Sequence, residues 1–158
     1  VADTLGAVLA ASALFAGEIK LARGVSVQLK SRGPLSLVFA ECTDRGQLRG
    51  VARYDERAHA LRHGLEGIGS DALLAITMEN PATEQRHQGL VPLDAPTLDA
   101  AFESYFARSE QLPTAIKLVT RGGHCAGMLV QQIAAQGGQS SVDPEFERVA
   151  MLFRTLTD

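Results

Sequence analysis

This 158-residue sequence contains little of what several kinds of functional site require. It has two cysteines, Cys42 and Cys125, and they form neither a CxxC nor a CxC motif. The sequence therefore indicates neither a zinc site nor a disulfide framework within the chain, and it favours a reducing, cytoplasmic location. Basic residues are not in excess either, since the net charge is −3. With no attractive field for polyanions, neither nucleic acid nor an anionic membrane is expected as a partner.

Long apolar runs are also missing. The stretch Leu5–Ala16 is shorter than the roughly 20 apolar residues that cross a bilayer, and it follows Asp3 instead of the basic residues of a signal peptide. Its small residues recur along one side of a predicted helix, Val1–Ala22, and apolar residues surround them. They are Gly6, Ala10, Ala13 and Gly17. A helix of this kind is expected between two layers of structure.

What the chain does have is a 46% hydrophobic composition, enough to build the core of one domain. Alternating apolar and polar residues predict strands in seven segments. These are Val25–Lys30, Leu35–Cys42, Leu48–Tyr54, Ala72–Met78, His87–Leu93, Thr114–Arg121 and His124–Ile133. Short turns join most of them, and Gly122-Gly123 suits a two-residue hairpin loop. The sequence predicts an α+β (mixed α/β) fold, a mostly antiparallel sheet with helices packed on it.

A second helix is predicted from Leu98 onwards. Its apolar residues recur at the three-and-four spacing of one helix face, namely Leu98, Ala101, Phe102, Tyr105 and Phe106. The helix must end before Pro113, because proline has no N–H and restricts the residue before it.

The last part of the chain is predicted to be a tethered helix. Residues 134–142 are rich in Gln, Gly and Ser, as flexible linkers are, and Asp143-Pro144 is a helix start signal. Phe146, Val149, Ala150 and Phe153 then form the apolar face of this helix, and Phe146, Val149 and Phe153 form one stripe along it. We expect a core domain over residues 1–133 and a linker with a helix over residues 134–158, and we expect the chain to continue beyond Asp158. The stripe is the candidate contact surface for a lid, a dimer or a bound protein.

Several other patterns are better explained without a site. His124 and Cys125 are strand neighbours that point to opposite faces. His59 and His63 are four residues apart but have no evident third metal ligand. The glycines of Gly64–Gly69 are in the wrong order for a phosphate-binding loop. The arginines at 45, 49 and 53 are offset by Asp44, Asp55 and Glu56, which again argues against nucleic acid.

Three segments resemble one known family. They are Tyr105–Thr114, which reads Tyr-Phe-Ala-Arg-Ser-Glu-Gln-Leu-Pro-Thr, Leu48-Arg-Gly-Val-Ala-Arg53, and Ala126-Gly-Met-Leu-Val-Gln-Gln132. In this order they are similar to the N-terminal domain of the heat shock protein 33 family, over most of Leu5–Phe153. The resemblance implies a redox-regulated holdase, which binds unfolded client proteins without ATP, is a homodimer and works in the cytoplasm.

In that family a C-terminal domain holds zinc through four cysteines. No such cluster is present here, so neither zinc nor the redox switch can be assigned to these residues, and no cofactor is expected in this chain. Two hypotheses stand beside the chaperone core. One is a small-molecule enzyme with a pocket around His87, His124 and Cys125, and the other is a dimerisation module.

Overall fold

The structure is a computed structural model that describes residues 1–18, 24–60, 65, 68–69, 71–80, 85–133 and 142–156. The helices are α1 (Ala2–Glu18), α2 (Leu98–Tyr105) and α3 (Pro144–Arg154). The strands are β1 (Gly24–Lys30), β2 (Leu35–Thr43), β3 (Leu48–Tyr54), β4 (Leu73–Asn80), β5 (Gln85–Pro92), β6 (Thr114–Arg121) and β7 (His124–Gln131). A short 3₁₀-helix follows β3 at Glu56–Ala60. The predicted α+β class and all seven strands are confirmed.

The strands form two separate antiparallel sheets. One has five strands in the order β3-β2-β1-β4-β5, and the other is the hairpin β6–β7. Gly122 and Gly123 turn the hairpin with φ of 58° and 80°, conformations that side chains rarely tolerate and glycine adopts freely. The predicted helix Val1–Ala22 is observed as α1, and its last four predicted residues lie outside the described part.

Helix α1 lies between the two sheets. On one side, Leu5 and Leu9 sit over Gly50 of β3, where an added Cβ would lie 3.0 and 3.2 Å from them. On the other side, a Cβ on Gly6 would lie 3.4 Å from Cys125 of the hairpin. Of the predicted small residues of α1, Gly6 therefore lets the hairpin approach the helix closely, whereas an added Cβ on Gly17 would meet nothing within 4 Å.

The core fills the space between the five-stranded sheet and the helices. Buried residues of β1, β2 and β4 face the helices, and Phe15 of α1 packs edge-to-face on Phe102 and Phe106 with ring centroids 5.2 and 5.0 Å apart. Such edge-to-face pairs add to the free energy of burial. These aromatic contacts join α1 to α2.

Helix α2 ends differently from the prediction of a regular helix up to Pro113. It begins with the Thr97 cap and becomes a π-helical turn at Phe106–Glu110, which Gln111 closes at φ 56°. The wider turn lets the Tyr105 hydroxyl donate to Glu110 Oε1 at 3.2 Å. Burial, reinforced by the charge of Glu110, raises the pKa of Tyr105 well above its usual value, so this hydroxyl stays protonated.

Two carboxylates of α2 bind the outer edge of β6. Glu103 Oε1 accepts the Ile116 N–H at 3.0 Å, and Asp99 Oδ1 accepts the Leu118 N–H at 3.1 Å. The residues Asp99 and Glu103 are four apart and so share one helix face. These two backbone N–H groups at the edge of the hairpin therefore have hydrogen-bond acceptors without a further strand beside them.

Candidate interaction surfaces

The five-stranded sheet has one face that no described helix covers. Directly paired residues share a face, and the register aligns Val51, Phe39, Gln28, Ala75 and Leu90 in one row across the sheet. The neighbouring row, Gly50 to Gly89, faces the helices. We call the opposite surface the outer face. Its apolar residues are Leu37, Phe39, Val51, Leu73, Ala75 and Leu90.

Three of the six apolar residues of the outer face are exposed, whereas Leu37 and Phe39 are half-buried and Ala75 is buried. Val51, Leu73 and Leu90 keep exposures of 48, 39 and 58%. These three residues lie on β3, β4 and β5 of one face, and exposed apolar side chains gathered on one face are a candidate binding surface.

Charge pairs flank these apolar residues. Arg49 bonds Glu41 at 2.5 Å, and Arg86 bonds Glu79 at 2.9 Å. Because both pairs are solvent-exposed they stabilise the fold little. Each pair places a carboxylate beside its arginine, so Arg49 and Arg86 are locally neutralised.

A groove runs between the N-terminal end of α1 and β3. Its volume is about 540 Å³, and its lining is almost entirely apolar or backbone. The residues are Val1, Ala2, Leu5, Gly50, Val51, Ala52, Tyr54 and Ala58. Since β3 is the first strand of the sheet order, this groove borders a strand edge that pairs with no other described strand.

Helix α3 packs on the hairpin through a small apolar contact. Ala150 and Phe153 are 3 and 6% exposed, Phe146 is half-buried, and all three pack with Ala115 of β6. Val149 is 39% exposed, because the helix contacts the hairpin through the side chains at positions 146, 150 and 153. Of the three predicted contact residues, Phe146 and Phe153 therefore face the hairpin and Val149 lies at the rim.

Polar contacts hold both ends of α3. Asp143 caps the first turn by accepting the Glu145 N–H at 2.8 Å, and its own N–H donates to Gln132 at 2.9 Å. Near the other end, the Arg154 guanidinium donates to Glu103 Oε2 at 3.1 Å. The predicted cap at Asp143-Pro144 is confirmed.

The residues of the enzyme hypothesis are not gathered into one site in the described part. His87 lies on β5, opposite Met78, whereas His124 and Cys125 lie at the turn end of the hairpin. All three are exposed. The side chains of His59 and His63, together with Gly64 and Gly67, lie outside the described residues.

Over the described ranges, no three His, Cys, Asp or Glu side chains cluster closely enough to hold a metal ion. Within the same ranges, no helix combines the length and apolar character needed to span a membrane.

Comparison with known proteins identifies the family. The profile described as Hsp33 protein matches residues 1–158, the whole chain. The chain belongs to the Hsp33 family. The resemblance found in three segments is thus confirmed, and these segments are β3, the α2–β6 junction and β7.

Curated Hsp33 relatives named 33 kDa chaperonin extend beyond this chain. The protein of Ectopseudomonas mendocina is 41% identical over 133 residues, covering 84% of this chain and 45% of that protein. The protein of Shewanella sediminis is 38% identical over 156 residues, covering 98 and 52%. The chain spans about half the length of the curated relatives it matches.

A solved Hsp33 structure has the same fold. The crystal structure of the 33 kDa chaperonin (heat shock protein 33 homolog) from Thermotoga maritima matches 97% of this chain and 54% of its own chain, with a TM-score of 0.74. At 20% sequence identity, this likeness concerns the fold alone.

The two cysteines do not fit the zinc site expected elsewhere in the Hsp33 family. Cys42 is buried in β2, and burial raises the pKa of its thiol, whereas Cys125 is exposed on β7. They lie in different sheets and have no partner ligands in the described part of the chain. No zinc chemistry is assigned to these residues.

Sequence reasoning missed the outer face as a site. It found the strands that form it but not the order in which they pair. The available signal was the apolar residues at alternate positions that face away from the buried ones, Leu37 and Phe39 in β2 and Leu73 in β4. Those residues become one surface only once the order β3-β2-β1-β4-β5 is known.

Proposed function

We propose that this chain is the client-binding part of a molecular chaperone, a holdase that binds unfolding proteins without ATP and prevents their aggregation. Membership of a family whose curated relatives are named chaperonins supports this function. The observation that carries the proposal is the apolar outer face, which the described helices leave uncovered.

The outer face matches the chemistry of an unfolded protein. Unfolding exposes apolar side chains, and removing apolar area from water yields roughly 25 cal/mol per Å². Val51, Leu73 and Leu90 offer such area on one face of a hydrogen-bonded sheet. The flanking pairs Arg49–Glu41 and Arg86–Glu79 keep the surface hydrated at its edges.

The test compares two matched double variants of this chain. Leu73→Ser with Leu90→Ser removes apolar area from the outer face, and Met151→Ser with Leu152→Ser removes it from the exposed side of α3, where those residues are 69 and 62% exposed. Each is mixed with a chemically denatured protein on dilution, and light scattering reports aggregation. We expect the unsubstituted chain to suppress scattering in proportion to its amount, without ATP.

The outer-face variant should need several-fold more protein for the same suppression, and the α3 variant should match the unsubstituted chain. Equal activity of both variants would place the client surface elsewhere. No suppression by the unsubstituted chain would overturn the proposed function. Circular dichroism of each variant confirms that it is folded.

The remaining family properties are proposals for the whole protein. We propose that it is a cytoplasmic homodimer and that redox regulation resides in the zinc-binding part that the resemblance implies, outside this chain. A monomer mass in light scattering at micromolar concentration would contradict the dimer.

A further inference from the structure

We propose that the free edge of β3 binds an extended, uncharged apolar segment of the client as an added strand. This inference rests on the proposed chaperone function and specifies its binding mode. Two features meet at this edge, a row of backbone groups directed away from the sheet and an apolar groove of about 540 Å³ beside it.

The hairpin register decides which backbone groups point outward. The Thr43 N–H donates to the Gln47 carbonyl at 3.0 Å, next to the turn. Bonded and non-bonded pairs alternate along an antiparallel ladder, so Arg49 and Val51 bond β2. The intervening residues, Leu48, Gly50 and Ala52, direct their N–H and C=O groups away from β2. No strand lies beyond them among the described residues.

The groove supplies space on the helix side of that edge. Leu5 and Leu9 of α1 lie above Gly50 and leave little room for a side chain at that position. Leu5 and Ala58 line the groove next to Ala52. In an added strand every second side chain points to one face, so alternate side chains of the segment enter this groove.

The other side chains of the added strand extend the outer face. They lie beside Val51, which is 48% exposed and stands at the β3 end of the row that crosses the sheet to Leu90. One bound segment therefore contacts both surfaces, through hydrogen bonds for affinity and through alternate side chains for selectivity.

Local charge favours an uncharged segment. Arg49 is paired with Glu41 at 2.5 Å, and beyond the strand Arg57 is paired with Asp55 at 2.5 Å. Hydrogen bonding to Arg57 keeps the pKa of Asp55 below its usual value, so the second pair stays ionised near neutral pH. Each of these pairs is neutral and attracts neither an acidic nor a basic peptide, and Arg53 is the one further cation on the strand, on the same face as Val51.

The test uses a fluorescent heptapeptide of alternating valine and threonine, blocked at both ends. A second peptide carries N-methyl groups on two adjacent central amides, so that neither of its edges can pair fully. The protein variant is Ala52→Pro, which removes an outward N–H without removing a bond to β2. Ala52→Lys, which places a charge in the groove, is the second variant in case the proline prevents folding. The control variant is Leu152→Ser on α3.

We expect the unsubstituted chain and the Leu152→Ser chain to bind the first peptide equally in fluorescence anisotropy. Ala52→Pro and the N-methylated peptide should each weaken binding by about tenfold, the loss expected for one or two hydrogen bonds. Hydrogen exchange at the Gly50 and Ala52 amides should slow when the peptide is bound.

Unchanged peptide affinity in both Ala52 variants would overturn the proposal. If these variants still suppress aggregation fully, only the binding mode fails, and the chaperone function stands. If no aggregation is suppressed by any chain, the proposed function itself fails. If Ala52→Pro converts a dimer to a monomer, and the peptide competes with dimer formation, the β3 edge binds a second copy of this chain. That result would overturn the proposal that the edge binds a client segment.

Discussion

Gly89 of β5 lies directly against the ring of Tyr105 in α2. A Cβ built on Gly89 would be 2.5 Å from the Tyr105 hydroxyl oxygen and 2.8 Å from Cζ. Tyr105 is fully buried, is bonded to Glu110 and packs on Phe106 with ring centroids 5.5 Å apart. The ring therefore has little freedom to move aside. Close approach at this glycine fixes α2 on the five-stranded sheet.

We expect Gly89→Ala to destabilise the chain by about 1–3 kcal/mol, the usual cost of forcing extra volume into a packed core. The matched control is Gly17→Ala in α1, where an added Cβ meets nothing within 4 Å and alanine should stabilise the helix by up to about 1 kcal/mol. Urea unfolding followed by circular dichroism measures both. Equal stability of the two variants would mean that Tyr105 is not locked in place.

Glu103 should stabilise the fold more through its hydrogen bond to β6 than through its ion pair with Arg154 of α3. Glu103→Ala leaves the buried Ile116 N–H without its acceptor, which typically costs about 1–3 kcal/mol. Glu103→Gln keeps an oxygen for that N–H and weakens only the exposed pair with Arg154, worth about 1 kcal/mol or less. Denaturant midpoints of the two variants, combined with Arg154→Met in a double-mutant cycle, separate the contributions. The reverse order of effects would contradict this assignment.

The sequence was sufficient for the elements because their causes are local. Alternation gave the strands, Gly122-Gly123 gave the hairpin, and Asp143-Pro144 gave the start of α3. The π-helical turn at Phe106–Glu110 was not predictable in this way. It depends on the Tyr105–Glu110 bond and on Gln111 adopting φ 56°, and neither has a periodic signature.

The sites were less accessible from sequence because they depend on strand order. The predicted apolar face of α3 included Val149, but contact with Ala115 is made by Phe146, Ala150 and Phe153, and Val149 lies at the rim. The open edge of β3 and the outer face likewise follow from the order β3-β2-β1-β4-β5. Spacing along one segment cannot reveal which segment lies beside it.

The two thiols should react at very different rates. Cys125 is exposed, whereas Cys42 is buried with a raised pKa and so contains little of the reactive thiolate at pH 8. We expect a disulfide reagent such as DTNB to label one thiol quickly and the second only after denaturation. The Cys42 thiol ionises more readily in the unfolded chain than in the folded one. Its ionisation is therefore expected to lower the free energy of unfolding as the pH rises above about 8.5. Fast labelling of both thiols in the native chain would contradict the buried position of Cys42.

Oxidation should not switch this chain on by itself. Cys42 and Cys125 lie in different sheets and have no paired thiol nearby in sequence. Treatment with peroxide and then with a reductant is expected to leave suppression of client aggregation nearly unchanged. Cys125→Ser provides the control for modification of the exposed thiol. A large, reversible gain after peroxide would assign a sensing role to these cysteines.

Helix α3 is expected to act as a lid that leaves the hairpin without unfolding the rest. Its apolar contact consists chiefly of Phe146, Ala150 and Phe153, and fully burying one large apolar side chain is worth about 1.5–3 kcal/mol. Phe146→Ser with Phe153→Ser should therefore release the helix. We expect more binding of the dye ANS, faster hydrogen exchange in residues 144–154 and higher affinity for unfolded clients, with the strands still folded.

The control for the lid is Val149→Ser with Leu152→Ser, because these exposed residues lie on α3 but outside its contact with the hairpin. That variant should keep the dye binding and exchange rates of the unsubstituted chain, since it removes no packing against Ala115. The contact at Arg154 also predicts that Glu103→Gln loosens the last turn slightly without releasing Phe153. If the double phenylalanine variant instead unfolds cooperatively at a much lower temperature with no gain in dye or client binding, α3 is part of the core. The contact between α3 and the hairpin would then stabilise the whole fold, and α3 would not be a separable lid.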